Sequence, residues 1–444
     1  MNNELATLYP AHFQSLCDRH DRALSASGYD SVVIHGGEQH MIFLDDLPYP
    51  FKPNPHFKAW VPVLKNPNCS IIYTPGRKPV LLYFQPVDYW HKAAASPSGF
   101  WVDYFDVRLI ATPEDALKHF KADGDRSAYI GEPSDSFAAW GFAEQNPQNL
   151  LDRLHYERTW KTAYEIECMR RANAMAVRGH RAAERTWREG GSEYQIHLDY
   201  LRASTQSEAE LPYGNIIALN ENASILHYQH LERSQPAEDG RFSFLIDAGA
   251  DFNGYASDIT RTYSQRQDEF QQMIVAMDKA QQAICDEVRP GVDYRTLHLL
   301  AHQKVAEILS EFRIINVEPE SAVELRITSS FLPHGLGHFI GLQVHDVAGF
   351  SADSDGSTIP KPDGHPFLRL TRVIEERQVF TIEPGLYFIE SLLGELERSD
   401  NAKYVDWKRV ELFRKFGGIR IEDDLVVTSE GAENLTREAF AGHA

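Results

Sequence analysis

Asp247, Asp258, His338, Glu383 and Glu422 put four carboxylates and one imidazole into strand-like contexts that ordinarily take apolar or neutral side chains. Such a donor set can hold two divalent cations side by side, about 3.5–4 Å apart, and a pair of that kind activates water and stabilises a tetrahedral intermediate. Oxygen donors with a single imidazole suit Mn2+ or another hard-to-borderline cation better than a thiolate-type zinc site, with Co2+, Zn2+ and Fe2+ as alternatives. The chemistry is that of a hydrolase, provided that the elements carrying these residues bring them together.

Two of the carboxylates share one predicted hairpin. The run from Phe244 to Tyr263 has Asn253-Gly254 near its middle, and Asn-Gly favours a two-residue type I′ turn. That turn pairs Phe252 with Tyr255 and sets Gly249 opposite Asp258. Side chains two apart on a strand share a face, so Asp247 joins Asp258 diagonally, about 7–8 Å away at the backbone and closer at the side chains. Two carboxylates on one face repel, and cations between them remove the repulsion. The segment alone also allows one exposed aspartate and one bound to backbone amides, and a one-residue slip in register would part the pair.

The imidazole lies in Pro333-His334-Gly-Leu-Gly-His338, with His345 and Asp346 following. His334 and His338 are four apart, but no Glu follows His334, and Gly335 and Gly337 disfavour a helical zinc motif. The glycines instead let backbone approach something closely. Val379 to Glu383 is an apolar strand running into a carboxylate and stopped by Pro384-Gly385. Gly417 to Val427 alternates, so that Arg420 and Glu422 face one way, Ile419 and Ile421 the other. A Glu in such a burial-prone place needs a metal or an arginine as compensation.

The chain of 444 residues exceeds one ordinary core, so two domains are expected, divided between residues 157 and 158. The balance of 44 basic against 64 acidic residues, −20 at neutral pH, argues against a nucleic-acid partner. No run is apolar enough for a membrane span, no secretory signal is visible, and four scattered cysteines fit a reducing cytoplasm. Pro10 to Ser27 reads as a helix with Pro10 in its first turn. Residues 31–35, 70–73, 80–84 and 127–131 read as strands, the second and third forming a hairpin. Prolines 48, 50, 53 and 55 forbid a helix or central strand over 43–60, which reads either as an ordered surface loop or as an arm whose aromatics dock on another subunit or over a site. Helices are expected at 160–188, at 267–287 and 294–312, and after the capping box Ser192-Glu-Tyr-Gln195. The remainder reads as strand-rich, broken by a Pro/Gly/Asp stretch from Ser351 to Pro366.

In this order, Asp-x10-Asp, His-Gly-Leu-Gly-His, Thr-Ile-Glu-Pro-Gly and Gly-Gly-Ile-Arg-Ile-Glu-Asp resemble the motifs of the pita-bread metallopeptidases. Over nearly its whole length the chain is similar to bacterial proline dipeptidases, some of which are called organophosphorus acid anhydrolases. The resemblance implies an α+β fold: a creatinase-like α/β N-terminal domain and a C-terminal pita-bread domain with a curved antiparallel sheet covered by helices. It implies two metal ions, usually Mn2+, with Asp247 on one, His338 and Glu383 on the other, and Asp258 and Glu422 bridging. A hydroxide between the ions would attack Xaa-Pro dipeptides, Glu383 shuttling the proton and His345 stabilising the oxyanion. His227, His334, Tyr213, Arg420 and Arg369 match substrate-pocket positions, the arginines near the substrate carboxylate. Asp46 and Trp90 match loops that approach a neighbouring subunit's site, and a homodimer is implied. Organophosphorus triesters are an expected side activity. The alternatives are a primary organophosphorus acid anhydrolase and an aminopeptidase P-type enzyme acting on longer peptides.

Overall fold

The computed structural model describes residues 2–90, 92–120, 126–133 and 140–442. The chain forms two compact units. One comprises Met1–Cys168 with Asn253–Tyr255 and Asp353–Ser357, and the other comprises the rest.

The first unit is built on a six-stranded mixed sheet, in the order Asp106–Ile110, Val80–Phe84, Ser70–Tyr73, Ser31–His35, Ser127–Ile130, Glu144–Gln145. Ser31–His35 runs antiparallel to Ser70–Tyr73 and parallel to Ser127–Ile130. Its Val32, Val33 and Ile34 are fully buried, as a β-branched run in a sheet interior should be. Two expectations need correction. The first helix runs Asn2–Ser27, so Pro10 lies inside it rather than in its first turn. The lost backbone bond is tolerated because Leu5, Tyr9 and Leu16 bury one face while Pro10 stays exposed. The proline-rich arm also contains a helix, Pro55–Trp60. Pro55 occupies its first turn, where the missing N–H is no loss, and Asn54 caps it by accepting from the His56 N–H at 2.9 Å. Phe57 and Trp60 bury its inner face.

The second unit carries the curved antiparallel sheet in pieces. Ser243–Asp247 lies between Ile216–Leu219 and Thr260–Ser264. Asp423–Val427 lies between Val379–Ile382 and Ala432–Asn434. Gly385–Tyr387 pairs with Gly418–Arg420. A bridge between Thr260 and Glu422 joins the first piece to the others. Helices Glu269–Asp286 and Tyr294–Glu311 contribute Met273, Met277, Ile284, Leu297, Ala301 and Val305 to a core shared with Phe380, Ile382, Ile419 and Leu425. Ala163–Arg188 and Glu193–Ser204 are helical, the latter opened by the Ser192–Gln195 box. The region after 312 holds more helix than its pattern suggested: Pro319–Glu324, Glu390–Glu397, Trp407–Arg414 and Leu435–Gly442. Those helices are short, so their period competes with strand alternation over only one or two turns. No helix among the described residues is long and apolar enough to cross a membrane.

Candidate metal centre

Asn253 and Gly254 both adopt positive φ, 53° and 89°, as a type I′ turn requires. The strands that follow keep the matching register. Asp247 stands opposite Thr260, the Ala248 N–H donates to Ile259 O at 3.0 Å, and the Ser257 N–H donates to Ala250 O at 2.9 Å. Gly249 therefore falls opposite Asp258, and it must be glycine, since a Cβ there would lie 2.0 Å from the Ser257 carbonyl oxygen. Asp247 ends its strand and Asp258 precedes the next.

The other three side chains arrive from neighbouring strand ends. Glu383 directly follows Val379–Ile382, and its N–H donates to Leu336 O at 2.8 Å. Glu422 sits between Gly418–Arg420 and Asp423–Val427, with its N–H on Thr260 O at 3.0 Å. The segment 334–338 is irregular, as its glycines predict. The Thr381 N–H donates to His338 O at 3.0 Å, which lays His338 along the strand leading to Glu383. A Cβ on Gly337 would meet Thr381 O at 2.1 Å, and one on Gly335 would meet Leu368 Cα at 2.8 Å. These are the close backbone approaches for which the two glycines are needed.

The cluster is tight. His338 Nδ1 is 3.0 Å from Phe339 O, which leaves Nε2 facing Asp258 Oδ2 at 3.5 Å and Glu383 Oε1 at 3.7 Å. Single donor atoms of Asp258, His338 and Glu422 lie within 4.8 Å of one another. Tyr213 donates to Asp258 Oδ1 at 2.6 Å, and Thr260 donates to Glu422 Oε2 at 2.7 Å. Arg420 donates to Asp247 Oδ2 at 2.6 Å, to the Tyr387 hydroxyl at 2.8 Å and to Thr260 Oγ1 at 3.1 Å. Asp247, Asp258, His338 and Glu422 are buried, and the Glu383 side chain is 16% exposed. The other Asp247 oxygen, Oδ1, is buried with no hydrogen-bond partner among the described residues.

Four carboxylates thus face one guanidinium and one imidazole. Burial pushes Asp247 up to about 6 against the pull of Arg420, and Glu383 up to about 7 against the pull of His338. Burial and the charges of Asp258 and Glu383 hold Glu422 well above the ordinary range. Burial would lower His338, but the Asp258 hydrogen bond and the charge of Glu383 outweigh it and raise the imidazole to about 9. Asp258 alone is held below its usual value, His338 prevailing over burial. A site that keeps carboxyl groups protonated near neutrality, with one carboxylate oxygen orphaned, lacks positive charge. Divalent cations supply it, and the oxygen-rich donor set fits them.

Groups with raised folded-state pKa stabilise the metal-free protein below their unfolded values near 4, and that contribution is lost as pH rises through about 6 and 7. Cation binding must displace those protons. Calorimetry in two buffers of different ionisation heat should show about three protons released per chain at pH 6.5, roughly one of them from Asp247 and Glu383 together and the rest from Glu422 and His338, and fewer at pH 9. Release below one proton at both values would remove the charge argument.

The substrate positions inferred from the resemblance fall into three groups. His334 is beside the cluster, with Nδ1 3.8 Å from Glu383 Oε2 and Nε2 2.8 Å from the Tyr387 hydroxyl. His345 is exposed and sets its ring edge-on to that of His338 at 4.3 Å. Tyr213 and Arg420 bond to the carboxylates themselves. Arg369 is exposed. His227 is exposed. Asp46 and Trp90 are exposed positions of the first unit, Trp90 packing on Tyr89 at 4.8 Å. Sequence reasoning missed Thr260, Tyr387 and Asp424. Asp424 accepts from the Asp258 N–H at 3.1 Å and from Asn173 at 2.8 Å, fixing the backbone of a cluster residue. Its only sequence signal was a second acid directly after Glu422-Asp423.

Residues 167–429 match the model of metallopeptidase family M24, and residues 7–156 match the N-terminal domain model of Xaa-Pro dipeptidase. The chain belongs to metallopeptidase family M24. This family implies divalent metal ions, in keeping with the donor set. Among relatives of this M24 member, an Xaa-Pro dipeptidase from Pseudoalteromonas translucida is 50% identical over 436 residues, covering 98% of this chain and 99% of the relative. One from Shewanella oneidensis matches with the same identity and coverage. Among solved structures, Escherichia coli aminopeptidase P with the inhibitor Pro-Leu superimposes with a TM-score of 0.73 at 22% identity, over 97% of each chain. Proline aminopeptidase P II from Yersinia pestis gives 0.72 at 24%, over 96% of each. At those identities the structures speak for the fold alone, and the fold is the one expected.

Proposed function

We propose that this chain is a metal-dependent dipeptidase that hydrolyses Xaa-Pro dipeptides, with Asp247, Asp258, His338, Glu383 and Glu422 holding two divalent cations. The observation that carries the reading is the convergence of these five side chains, from separate segments, on one charge-deficient buried cluster. The names of the full-length relatives supply the substrate class. Asp247 would serve one ion, His338 and Glu383 the other, and Asp258 and Glu422 both. Mn2+ is the proposed metal, because imidazole is the minority donor.

When bound, the cations polarise the scissile carbonyl and lower the pKa of a water toward about 7. The remaining work falls to side chains. Glu383, partly exposed between His334 and His338, accepts the water's proton and returns it to the prolyl nitrogen. His345, its ring edge-on to that of His338, donates to the developing oxyanion. Arg420 spends its bonds on Asp247, Tyr387 and Thr260, so it holds the cluster together. Arg369 is the arginine left to clamp the substrate carboxylate. Its backbone is fixed between two glycines, since a Cβ at Gly349 would lie 2.2 Å from Arg369 O and one at Gly335 would lie 3.4 Å from Arg369 N.

We further propose a cytoplasmic homodimer in which the arm bearing Asp46 and the loop bearing Trp90 face a neighbouring subunit. Phe43, Leu44, Val87, Tyr89 and Trp90 are each at least 75% exposed, an apolar display that a second copy would cover. The domain division is proposed at residues 157 and 158.

The deciding experiment is hydrolysis of an Xaa-Pro dipeptide panel by chelator-treated protein resupplied with Mn2+, beside an Xaa-Pro tripeptide and an organophosphorus triester. The dipeptide should be turned over fastest; a preference for the tripeptide or triester overturns the assignment. Arg369→Ala should raise KM about 10–100-fold, the worth of one charge-assisted bond, with kcat little changed. An unaltered KM would take the carboxylate away from Arg369.

A further inference from the structure

A second cluster of metal-ligating side chains lies in the same unit and shares no residue with the carboxylate centre. His298 and His302 stand four apart on the helix Tyr294–Glu311, hence on one face of it. His365 reaches them from the Pro/Gly/Asp stretch, at a turn closed by the His365 N–H on Pro362 O at 3.1 Å. Single nitrogens of the three lie within 4.8 Å of one another, and His298 Nε2 faces His365 Nδ1 at 2.8 Å. The ring centroids are 4.6–4.8 Å apart, all three pairs set at steep angles. Zinc–nitrogen bonds of about 2.0–2.1 Å put tetrahedral ligand atoms about 3.3 Å apart, inside the span that these nitrogens already cover.

The surroundings are those of ligands. His302 Nδ1 is 3.0 Å from the Thr328 hydroxyl, a partner of the kind that orients a metal-binding ring and leaves its Nε2 for the ion. His298 and His302 are 1% and 2% exposed, and His298 Nδ1 has no hydrogen-bond partner among the described residues. Packing three bases together with one nitrogen orphaned is costly. Burial holds His298 and His302 at about 2 and about 3, so both are neutral, the form that binds metal.

We propose that His298, His302 and His365 form a further cation site, selective for Zn2+ and similar borderline cations over Mn2+, that ties the 360s loop to the helix Tyr294–Glu311. An all-imidazole set favours Zn2+, Co2+ or Ni2+ and binds Mn2+ poorly, whereas the oxygen-rich carboxylate centre suits Mn2+ as well. The site is a clip. Leu368 and the Phe367 carbonyl pack where a side chain on Gly335 would otherwise go, and Arg369 follows at once, so the clip fixes the loop beside His334.

The test uses the full-length protein, stripped with chelator and then dialysed against Zn2+ or Mn2+, with metal per chain measured by mass spectrometry. Wild type should retain one equivalent more of Zn2+ than of Mn2+, and His365→Asn should lose that one equivalent while keeping its Mn2+ content. Zn2+ should raise the melting temperature of Mn2+-loaded wild type and not that of His365→Asn. The wild-type-minus-variant difference does not depend on how many ions the carboxylate centre takes, so failure here is separable from failure of the dipeptidase reading. Equal Zn2+ in wild type and variant overturns the proposal. Should the variant fail to fold, wild type decides alone: no excess of Zn2+ over Mn2+ likewise overturns it.

Discussion

Asp258→Asn should lower turnover of an Xaa-Pro dipeptide by at least about a thousandfold, some 4 kcal/mol of barrier, while leaving the fold in place. The asymmetry comes from what each Asp258 oxygen does. Oδ1 accepts from Tyr213, and an asparagine Oδ1 can do the same. Oδ2 faces His338 Nε2, and an amide Nδ2 there can donate to the neutral ring, whose Nδ1 points at Phe339 O. The isostere therefore satisfies local hydrogen bonding. It removes the negative charge, and Asp258 is the carboxylate that the cluster holds below its usual pKa. Kinetics after Mn2+ reloading, metal content and a denaturant unfolding curve would be read together. Near-normal turnover in a folded variant would defeat the assignment of Asp258 to the metals.

The legible parts of this site were the locally encoded ones. Asn253-Gly254 fixes its turn through two positive φ values, and the register that placed Gly249 opposite Asp258 is the one in the structure. Gly335 and Gly337 signalled close backbone approach, and both sit against backbone atoms. Arg420 with Glu422 was read as one face of a strand, and both side chains do enter the cluster. What stayed hidden depends on pairings between distant segments. Thr260 matters because it bridges to Glu422, 162 positions away, and hands Arg420 an acceptor. Tyr387 matters because its hydroxyl lies between His334 and Arg420. Nothing near either residue in the chain announces this. The same holds for His365, whose partners are 67 and 63 positions earlier. The early start of the first helix and the helix at Pro55 were missed for another reason: Pro55 sits in a first turn, where its missing N–H is no loss, whereas Pro10 lies inside a helix whose buried face, Leu5, Tyr9 and Leu16, outweighs one lost backbone bond.

Gly337→Ala tests whether backbone contact, rather than any side chain, holds the two halves of the centre together. Gly337 adopts no left-handed conformation, so an alanine would suffer there from crowding alone. Its Cβ would fall 2.1 Å from Thr381 O, 2.5 Å from the Tyr294 hydroxyl and 2.7 Å from Thr381 Oγ1. These atoms cannot step aside cheaply. Tyr294 and Thr381 are fully buried, and the hydroxyl donates to that same carbonyl at 2.8 Å. The backbone of residues 337–339 must then move off the strand Val379–Ile382, which strains the Thr381 N–H bond to His338 O and shifts His338 relative to Glu383. Overpacking on this scale costs about 3 kcal/mol or more. The denaturant midpoint of the metal-free variant should fall accordingly, and Mn2+ binding should weaken beyond what the stability loss explains. Gly240→Ala is the control, since a Cβ there meets nothing within 4 Å, and it should stay within about 0.5 kcal/mol of wild type. If Gly337→Ala matched Gly240→Ala in both stability and metal content, close packing of the His338 segment on the Glu383 strand would not be what brings these two residues together.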